Sequence, residues 1–125
     1  MTKLKHPNIL KCYEVVREAS HCYIITELCS QGDLSSYLKK HKRIPEKDAL
    51  PIIKDIVNGF LEIGENKYLH RDLKLANILM NDRGVAKIAD FGFAKKSLYF
   101  LIYVVTNLRR KNITWVVLSI CLLKL

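Results

Sequence analysis

Residues 70–77 read His-Arg-Asp-Leu-Lys-Leu-Ala-Asn, and residues 90–92 read Asp-Phe-Gly. Between these motifs, apolar runs at residues 78–80 and 85–89 flank an Asn-Asp-Arg-Gly sequence that is typical of a β-hairpin turn. Taken singly, each polar residue is typical of a cap, a turn or a solvated surface. Their combination at this spacing, bridged by a hairpin, indicates a functional site rather than a coincidence.

Length and charge limit the classes of protein that fit this sequence. The chain has 125 residues, which is the size of one domain, and a formal net charge of +9. Its basic residues are scattered, with short clusters only at 39–43 and 109–111, and aromatic residues do not alternate with them. We therefore predict a solvated basic surface and no nucleic-acid partner.

The cysteines and the apolar segments indicate a cytoplasmic protein. Neither the C-x-x-C spacing of a zinc site nor the apolar core of a secretory signal is present. The apolar runs at 98–106 and 113–123 are each shorter than the roughly 20 residues that span a bilayer. We predict reduced cysteines and no membrane span. The cysteines are Cys12, Cys22, Cys29 and Cys121.

Hydrophobic patterns predict strands first and then helices. Residues 9–16 and 22–28 are rich in β-branched and aromatic residues, which predicts two antiparallel strands. A short helix is predicted over residues 33–41 with Asp33 as its N-cap, and a longer one over residues 45–66. The residues predicted to form the buried stripe of the longer helix are Ala49, Ile53, Ile56, Phe60 and Ile63. These elements together predict an α+β fold.

From the His-Pro-Asn-Ile step at residues 6–9 to Lys96, this order of motifs and elements resembles the eukaryotic-type Ser/Thr protein kinase family. The resemblance implies a partial bilobal protein kinase fold. It would comprise the last strands of the small lobe, the hinge and the first part of the helical large lobe. Residues 1–96 are accordingly predicted to form a partial protein kinase domain.

The resemblance implies a role for each polar residue of the two motifs. Asp72 would accept or orient the proton of the substrate hydroxyl, and Lys74 would place a positive charge against the transferred phosphoryl group. Asn77 and Asp90 would supply oxygen ligands to Mg²⁺. The implied reaction transfers the γ-phosphoryl group of ATP to a Ser or Thr of a protein substrate.

The resemblance also implies an ATP pocket. Thr26 would guard its back, and backbone groups of Glu27 and Cys29 would pair with the adenine edge. Asp33 would reach the ribose, and Leu79 would form the adenine floor. A strand followed by a polar loop would have nearly the same letters, so these assignments depend on the match at residues 70–77.

Four further residues are given roles by resemblance. His70 and Phe91 would belong to a stacked apolar column that joins the lobes, and Cys12 would stand where Leu is more usual. Arg71 would contact a phosphorylated activation loop. These roles are structural or regulatory, not catalytic.

Specificity and subfamily are read from residues beside the motifs. Lys74 after Asp72 is typical of Ser/Thr kinases, and Phe-Ala at residues 93–94 is most similar to the autophagy-initiating kinases. Two other functions stay open: a kinase-like fragment that binds partners without catalysis, and a small-molecule phosphotransferase. The Asp-Phe-Gly motif and Lys74 favour a protein kinase over the latter.

Residues 97–125 depart from the family pattern and form an atypical apolar tail. A shifted reading frame from Trp115 to Leu125 permits Gly-Ser-Pro-Leu-Tyr-Met-Ser-Pro-Glu-Ala, which is similar to the end of a kinase activation segment. We interpret the tail as intron-derived or out-of-frame sequence; the alternative is an apolar helix that packs on the large lobe. The family's Gly-rich loop and paired lysine and glutamate would lie before Met1, so this chain is expected to be an inactive fragment.

Overall fold

The computed structural model describes residues 4–97, so the predictions made for the tail lie outside the described residues. Strands precede and follow a central pair of helices. The strands are β1 (Cys12–Arg17), β2 (Cys22–Thr26), β3 (Tyr68–Leu69), β4 (Ile78–Met80), β5 (Ala86–Ile88) and β6 (Lys95–Lys96). The helices are α1 (Leu34–His41), α2 (Glu46–Glu65) and a 3₁₀ turn at Leu75–Asn77. The predicted α+β class is confirmed.

β1 and β2 form an antiparallel pair, as predicted, but both are shorter than the sequence indicated. Ile9 is buried and forms a parallel bridge with Ile88, while the N–H of Leu10 donates to the Ile88 carbonyl at 2.9 Å. These residues therefore pair with β5 instead of β2. At the other end, β2 stops at Thr26, and Leu28, which the sequence placed in the strand, is 84% exposed.

α1 begins at the predicted cap. Oδ1 of Asp33 accepts the N–H of Ser36 at 2.8 Å, and Oδ2 accepts its hydroxyl at 2.6 Å. Leu34 is buried and Tyr37 is partly buried against the core, so these two residues form the apolar face of α1. The last turn carries basic residues, which suit the negative end of the helix dipole.

α2 continues through Pro51, as the sequence indicated, but its buried stripe differs from the predicted one. Ala49, Ile53 and Phe60 are only partly buried. The buried stripe is rotated around the helix axis because Gly59, rather than a large residue, faces the segment before β1. The buried residues of α2 are Ile52, Ile56, Gly59, Ile63 and Gly64.

Gly59 allows α2 to lie directly against the segment before β1. A Cβ atom at this position would stand 2.5 Å from the carbonyl oxygen of Asn8 and 3.1 Å from Cδ1 of Ile88. The same Asn8 is buried, and its Nδ2 donates to the Ala86 carbonyl at 3.1 Å. Residues 6–9 are thus fixed between α2 and β5.

The predicted hairpin is formed by β4 and β5, with Ile78 opposite Ile88 and Met80 opposite Ala86. Oδ1 of Asn81 closes the turn by accepting backbone N–H groups, and Gly84 adopts a φ of +75°, which glycine tolerates. The hairpin packs on α2. The core residues of the two elements are Ile52, Ile56, Ile63, Ile78, Met80, Ala86 and Ile88.

Candidate active site

The turn that precedes β4 brings three of the predicted catalytic residues together. Nζ of Lys74 donates to Oδ2 of Asp72 at 2.7 Å, and Nδ2 of Asn77 donates to the same oxygen at 3.0 Å. Nδ2 of Asn77 also donates to the backbone carbonyl of Asp72 at 2.8 Å. One carboxylate is therefore oriented by an ammonium group and an amide.

These partners favour the ionised form of Asp72. The hydrogen bond from Lys74 is the largest cause that lowers the pKa of the Asp72 carboxyl below its ordinary value, and Asn77 contributes in the same direction. Desolvation opposes them only in part. Asp72 is thus a carboxylate that can accept a hydrogen bond from an incoming hydroxyl group.

His70 connects this turn to the second motif. Its Nδ1 accepts the N–H of Asp72 at 3.3 Å, and its Nε2 lies 2.9 Å from the carbonyl of Ala89. Because an N–H donates and a carbonyl accepts, the proton of the ring resides on Nε2. The ring is buried, and it meets Phe91 edge-on with the ring centroids 4.9 Å apart. The predicted His70–Phe91 contact is therefore present.

Asp90 is positioned through its two neighbours. The N–H of Ala89 donates to the backbone carbonyl of Asn77 at 2.8 Å, and Phe91 is held by His70. Asp90 itself has a φ of +58°, in the left-handed region that non-glycine residues seldom adopt. Its carboxylate is exposed, and Oδ1 accepts the N–H of Gly92 at 3.1 Å. The main chain thus leaves this carboxylate exposed one residue after Ala89, whose N–H is bonded to Asn77.

The oxygen donors at this point fit a magnesium ion. Since Nδ2 of Asn77 is directed at Asp72, its Oδ1 is the atom left for a cation, and Asp90 adds a carboxylate. Hard oxygen donors of this kind are the ligands that Mg²⁺ prefers, and it commonly keeps waters or phosphate oxygens in its other positions. Among residues 4–97 no group of three His, Cys, Asp or Glu residues could hold a metal ion. A Mg²⁺ ion held by Asn77 and Asp90 would take its remaining ligands from water or phosphate.

Arg71 contacts the segment after Asp90. Its Nε donates to the carbonyl of Phe93 at 2.6 Å, and its own φ is +67°. Arg71 and Asp90 thus both have left-handed backbones, one in each motif. The predicted contact with a phosphorylated loop stays a prediction, because the chain beyond residue 97 is not described.

The segment that follows β2 is hydrogen-bonded to the β4–β5 hairpin. The N–H of Gln31 donates to the carbonyl of Met80 at 3.1 Å, and the N–H of Met80 donates to the carbonyl of Gly32 at 2.8 Å. Asp33 forms an isolated bridge with Leu79. The predicted hinge and the predicted adenine floor are therefore adjacent.

The predicted hinge, at Glu27 and Cys29, has one backbone carbonyl and one backbone N–H that concern the predicted adenine contact. The carbonyl of Glu27 accepts the hydroxyl of Thr26 at 3.2 Å, whereas the N–H of Cys29 has no acceptor among the residues that the structure describes. The pKa of the Cys29 thiol is raised, chiefly by burial and also by Glu27, while Lys87 opposes the increase. Cys29 is therefore a neutral thiol that lies close to the charged side chains of Glu27 and Lys87.

Asp33 has a structural partner at the position where a ribose contact was predicted. Both of its carboxylate oxygens accept hydrogen bonds from Ser36, and these bonds lower the pKa of Asp33. The residue is therefore an ionised N-cap. Its predicted contact with ribose stays a prediction.

Sequence reasoning did not single out Lys87, which the structure places next to the hinge. Its Nζ lies 3.1 Å from Oε1 of Glu27 and donates to the carbonyl of Pro7 at 2.7 Å. The available signal was a lysine within a strand whose other residues, Ala86 and Ile88, are apolar. A charged residue at such a position needs a buried partner.

An oriented carboxylate, a lysine beside it and two oxygen-bearing side chains that fit a metal ion form part of the arrangement that phosphoryl transfer requires. Comparison with known proteins agrees with this class. The sequence profile of the protein kinase domain matches residues 1–99. This chain therefore belongs to the protein kinase family, and the predicted resemblance is confirmed.

Three relatives illustrate the similarity. The chain is 40% identical over 94 residues to serine/threonine-protein kinase PLK4 of Aedes aegypti, which covers 74% of this chain and 12% of that protein. It is 39% identical over 101 residues to serine/threonine-protein kinase atg1 of Dictyostelium discoideum, covering 76% and 15%. It is 40% identical over 94 residues to NUAK family SNF1-like kinase 2 of Rattus norvegicus, covering 75% and 15%.

These relatives are much longer than the present sequence, which spans between 12% and 15% of their lengths. Members of the protein kinase family generally use ATP and Mg²⁺. Within residues 4–97, none of the helices has the length and apolar character needed to cross a bilayer. The named relatives have similar identities to the chain, so the subfamily stays a prediction.

Proposed function

We propose that the protein is a Ser/Thr kinase that transfers the γ-phosphoryl group of ATP to a hydroxyl group of a protein substrate. The observation that carries the proposal is the arrangement of Lys74 and Asn77 around one oxygen of Asp72, at 2.7 and 3.0 Å. This arrangement is joined to Asp90 through the Asn77–Ala89 hydrogen bond. A base, a cation and a metal-binding carboxylate are thereby brought to one end of the hairpin.

Each side chain has a defined task in this reaction. Asp72 accepts the proton of the substrate hydroxyl as that oxygen forms its bond to phosphorus and the bond to the ADP oxygen breaks. Lys74 offers positive charge to the transferred oxygens, and the Asn77 amide keeps Asp72 in place. A bound Mg²⁺ supplies charge neutralisation, for which Asn77 Oδ1 and Asp90 are the proposed ligands.

The hinge and the hairpin are the proposed nucleotide pocket. The N–H of Cys29 and the carbonyl of Glu27 have the donor and acceptor character that pairs with an adenine edge. In this proposal Leu79, which forms a bridge with Asp33, is the apolar floor, and Thr26 is the residue that limits the depth of the pocket. Asp33 contacts the ribose in this proposal while it keeps its bond to the N–H of Ser36.

We assign residues 1–96 to a partial kinase domain and residues 97–125 to intron-derived or out-of-frame sequence. A cytoplasmic location agrees with the reduced cysteines that the sequence predicts. Sequencing the spliced transcript across codons 96–113 tests this division. A transcript identical to the present reading frame would exclude the proposed origin of the tail.

Because the present chain alone is expected to be inactive, the test of the reaction places these residues in a kinase domain that also carries the family's Gly-rich loop and paired lysine and glutamate, with labelled Mg-ATP and a protein substrate that contains Ser, Thr and Tyr. Asp72→Asn should lower phosphate transfer by roughly 10²- to 10⁴-fold, because general-base catalysis contributes about that factor. Asp82→Asn is the matched control, since Asp82 lies in the exposed hairpin turn. Phosphate recovered on Ser or Thr supports the proposed specificity, and phosphate on Tyr contradicts it.

A kinase-like fragment that binds partners without catalysis is the second candidate. The same experiment separates the two functions when binding of MgADP is measured in parallel. Nucleotide binding without phosphate transfer by the wild-type chain would support the binding fragment. Transfer that is abolished by Asp72→Asn would exclude it.

A further inference from the structure

Lys87 carries a positive charge into the interior, with only 7% of its surface exposed. Its Nζ donates to the carbonyl oxygen of Pro7 at 2.7 Å and lies 3.1 Å from Oε1 of Glu27. A buried ammonium group is unfavourable unless it is both paired and hydrogen-bonded, and both conditions are met here. One ammonium group therefore joins the segment before β1, the end of β2 and the hairpin strand β5.

Glu27 is held through its backbone and its side chain. Its N–H donates to the carbonyl of Lys11 at 3.0 Å, while its Oε1 accepts the N–H of Lys11 at 2.7 Å. The same Oε1 faces the ammonium group of Lys87. The residue whose carbonyl is the proposed adenine acceptor is thus fixed by its own side chain.

Lys87 also stands beside the proposed adenine floor. It is the cross-strand partner of Leu79 in the β4–β5 pair. Directly opposed residues in an antiparallel pair have their side chains on the same face of the sheet. The ion pair therefore connects the hinge to β5, the strand that is paired with the strand carrying the floor.

We propose that Lys87, through its ion pair with Glu27, is a positioning residue that sets the hinge backbone at Glu27 and Cys29 relative to Leu79. This inference rests on the proposed nucleotide pocket. Without the ammonium group, the carboxylate of Glu27 loses its cation and the Glu27 side chain is held by Lys11 alone. The main-chain donor and acceptor then sample positions that no longer match the adenine edge, and nucleotide affinity falls.

The test combines Lys87→Met, Glu27→Gln and the double variant, with Lys54→Met on the exposed face of α2 as the control. Glu27→Gln retains an oxygen for the N–H of Lys11 and removes the charge. Two quantities are measured: the dissociation constant of MgADP and the amide hydrogen exchange of residues 26–29 without nucleotide. The thermal midpoint and the exchange of α2 report any general loss of structure.

Each single variant should weaken MgADP binding roughly tenfold and speed exchange at residues 26–29, because paired buried charges are strongly coupled. The double variant should recover part of the affinity, since it leaves neither charge unpaired. Lys54→Met should match the wild type. Additive losses in the double variant, or unchanged exchange at the hinge, would overturn the inference.

Two results need separate interpretation. If Lys87→Met lowers the thermal midpoint and speeds exchange throughout α2, that variant has lost structure in general. The inference is then accepted or rejected by comparing MgADP affinity and hinge exchange between Glu27→Gln and the double variant. If the wild-type chain does not bind MgADP, the nucleotide proposal fails for this chain. The positioning of the hinge is then accepted or rejected from the exchange of residues 26–29 alone.

Discussion

The β4–β5 hairpin and the β1–β2 hairpin have similar apolar sequences and opposite surroundings. Five of the six residues in β4 and β5 are buried. In the other hairpin, large apolar side chains are 40% to 56% exposed. They are Tyr13, Val15, Tyr23, Ile24 and Ile25. Apolar, β-branched sequence therefore predicts a strand, but only a neighbouring element determines whether that strand is buried.

The neighbours of the buried hairpin are specific. α2 packs on β5, and on its other edge Ile88 donates its N–H to the carbonyl of Asn8 and accepts the N–H of Leu10. No helix among residues 4–97 gives β1 and β2 comparable cover. The free energy of folding in this part of the chain should therefore be concentrated around α2 and β4–β5.

Among the variants that compare the two hairpins, Ile88→Ala should have the largest effect on the free energy of unfolding. Ile88 is completely buried, so the change should lower the free energy of unfolding by about 2–5 kcal/mol. Ile24→Ala in the exposed hairpin should cost less than about 1 kcal/mol. Urea unfolding followed by circular dichroism measures both. Equal costs would mean that the two hairpins contribute alike.

Gly59→Ala tests how α2 reaches the buried hairpin. Because the new Cβ would stand 2.5 Å from the Asn8 carbonyl oxygen, α2 must shift, at a cost of about 1–3 kcal/mol. Asn58→Ala, one position earlier and exposed, should be neutral or slightly stabilising because Ala favours helix. The same unfolding measurement compares them, and a neutral Gly59→Ala would contradict the close approach.

Asp33→Ala tests the junction between the exposed hairpin and the helical part. The change removes both hydrogen bonds to Ser36 and should cost about 1 kcal/mol, the usual value of an N-cap. Asp33→Asn should retain the cap, since Asn is as good a cap as Asp. If Asp33→Asn nevertheless weakens MgADP binding, the charge itself serves the proposed ribose contact.

Lys74→Met should have the smallest effect on stability and a clear effect on titration. The Lys74 hydrogen bond is the largest cause of the lowered pKa of Asp72, so removing it should raise that pKa toward its ordinary value. A lowered carboxyl pKa stabilises the fold at pH values above the ordinary pKa of the carboxyl group. This contribution is lost as the pH falls through the pKa of the folded state. The variant should lose part of this contribution.

Carboxyl-carbon NMR titration of Asp72 gives the measurement for this variant. Lys39→Met, in the exposed last turn of α1, serves as the control and should leave the Asp72 titration unchanged. A Lys74→Met titration that coincides with the wild type would show that Asn77 alone maintains the ionised carboxylate.

Local features of the fold were predictable from sequence, whereas contacts between distant segments were not. The Asp33 cap and the turn at Asn81 depend on hydrogen bonds within four residues, which sequence spacing reveals. The motifs at 70–77 and 90–92 likewise located the Asp72 cluster. The pairing of Ile9 with Ile88, and the contact of Gly59 with Asn8, join residues far apart in the chain. Their registers follow from packing, which periodicity alone does not specify.

The ion pair of Lys87 escaped prediction for the same reason. Its partners Glu27 and Pro7 lie far away in sequence and carry no motif that identifies them. The rotation of the α2 stripe also depends on which residue faces Asn8. Periodicity located a buried face but could not show that a glycine, rather than Phe60 or Ile53, lies at its centre.

The contact between Gly59 and Asn8 also determines how the described chain can move. Asn8 is hydrogen-bonded to β5 through its side chain and its carbonyl, so residues 6–9 form one packed unit with α2 and β5. The β1–β2 hairpin departs from this packed unit at Lys11 and Glu27, which are hydrogen-bonded to each other. A swing of β1 and β2 would therefore pivot at this pair of residues and carry both strands together.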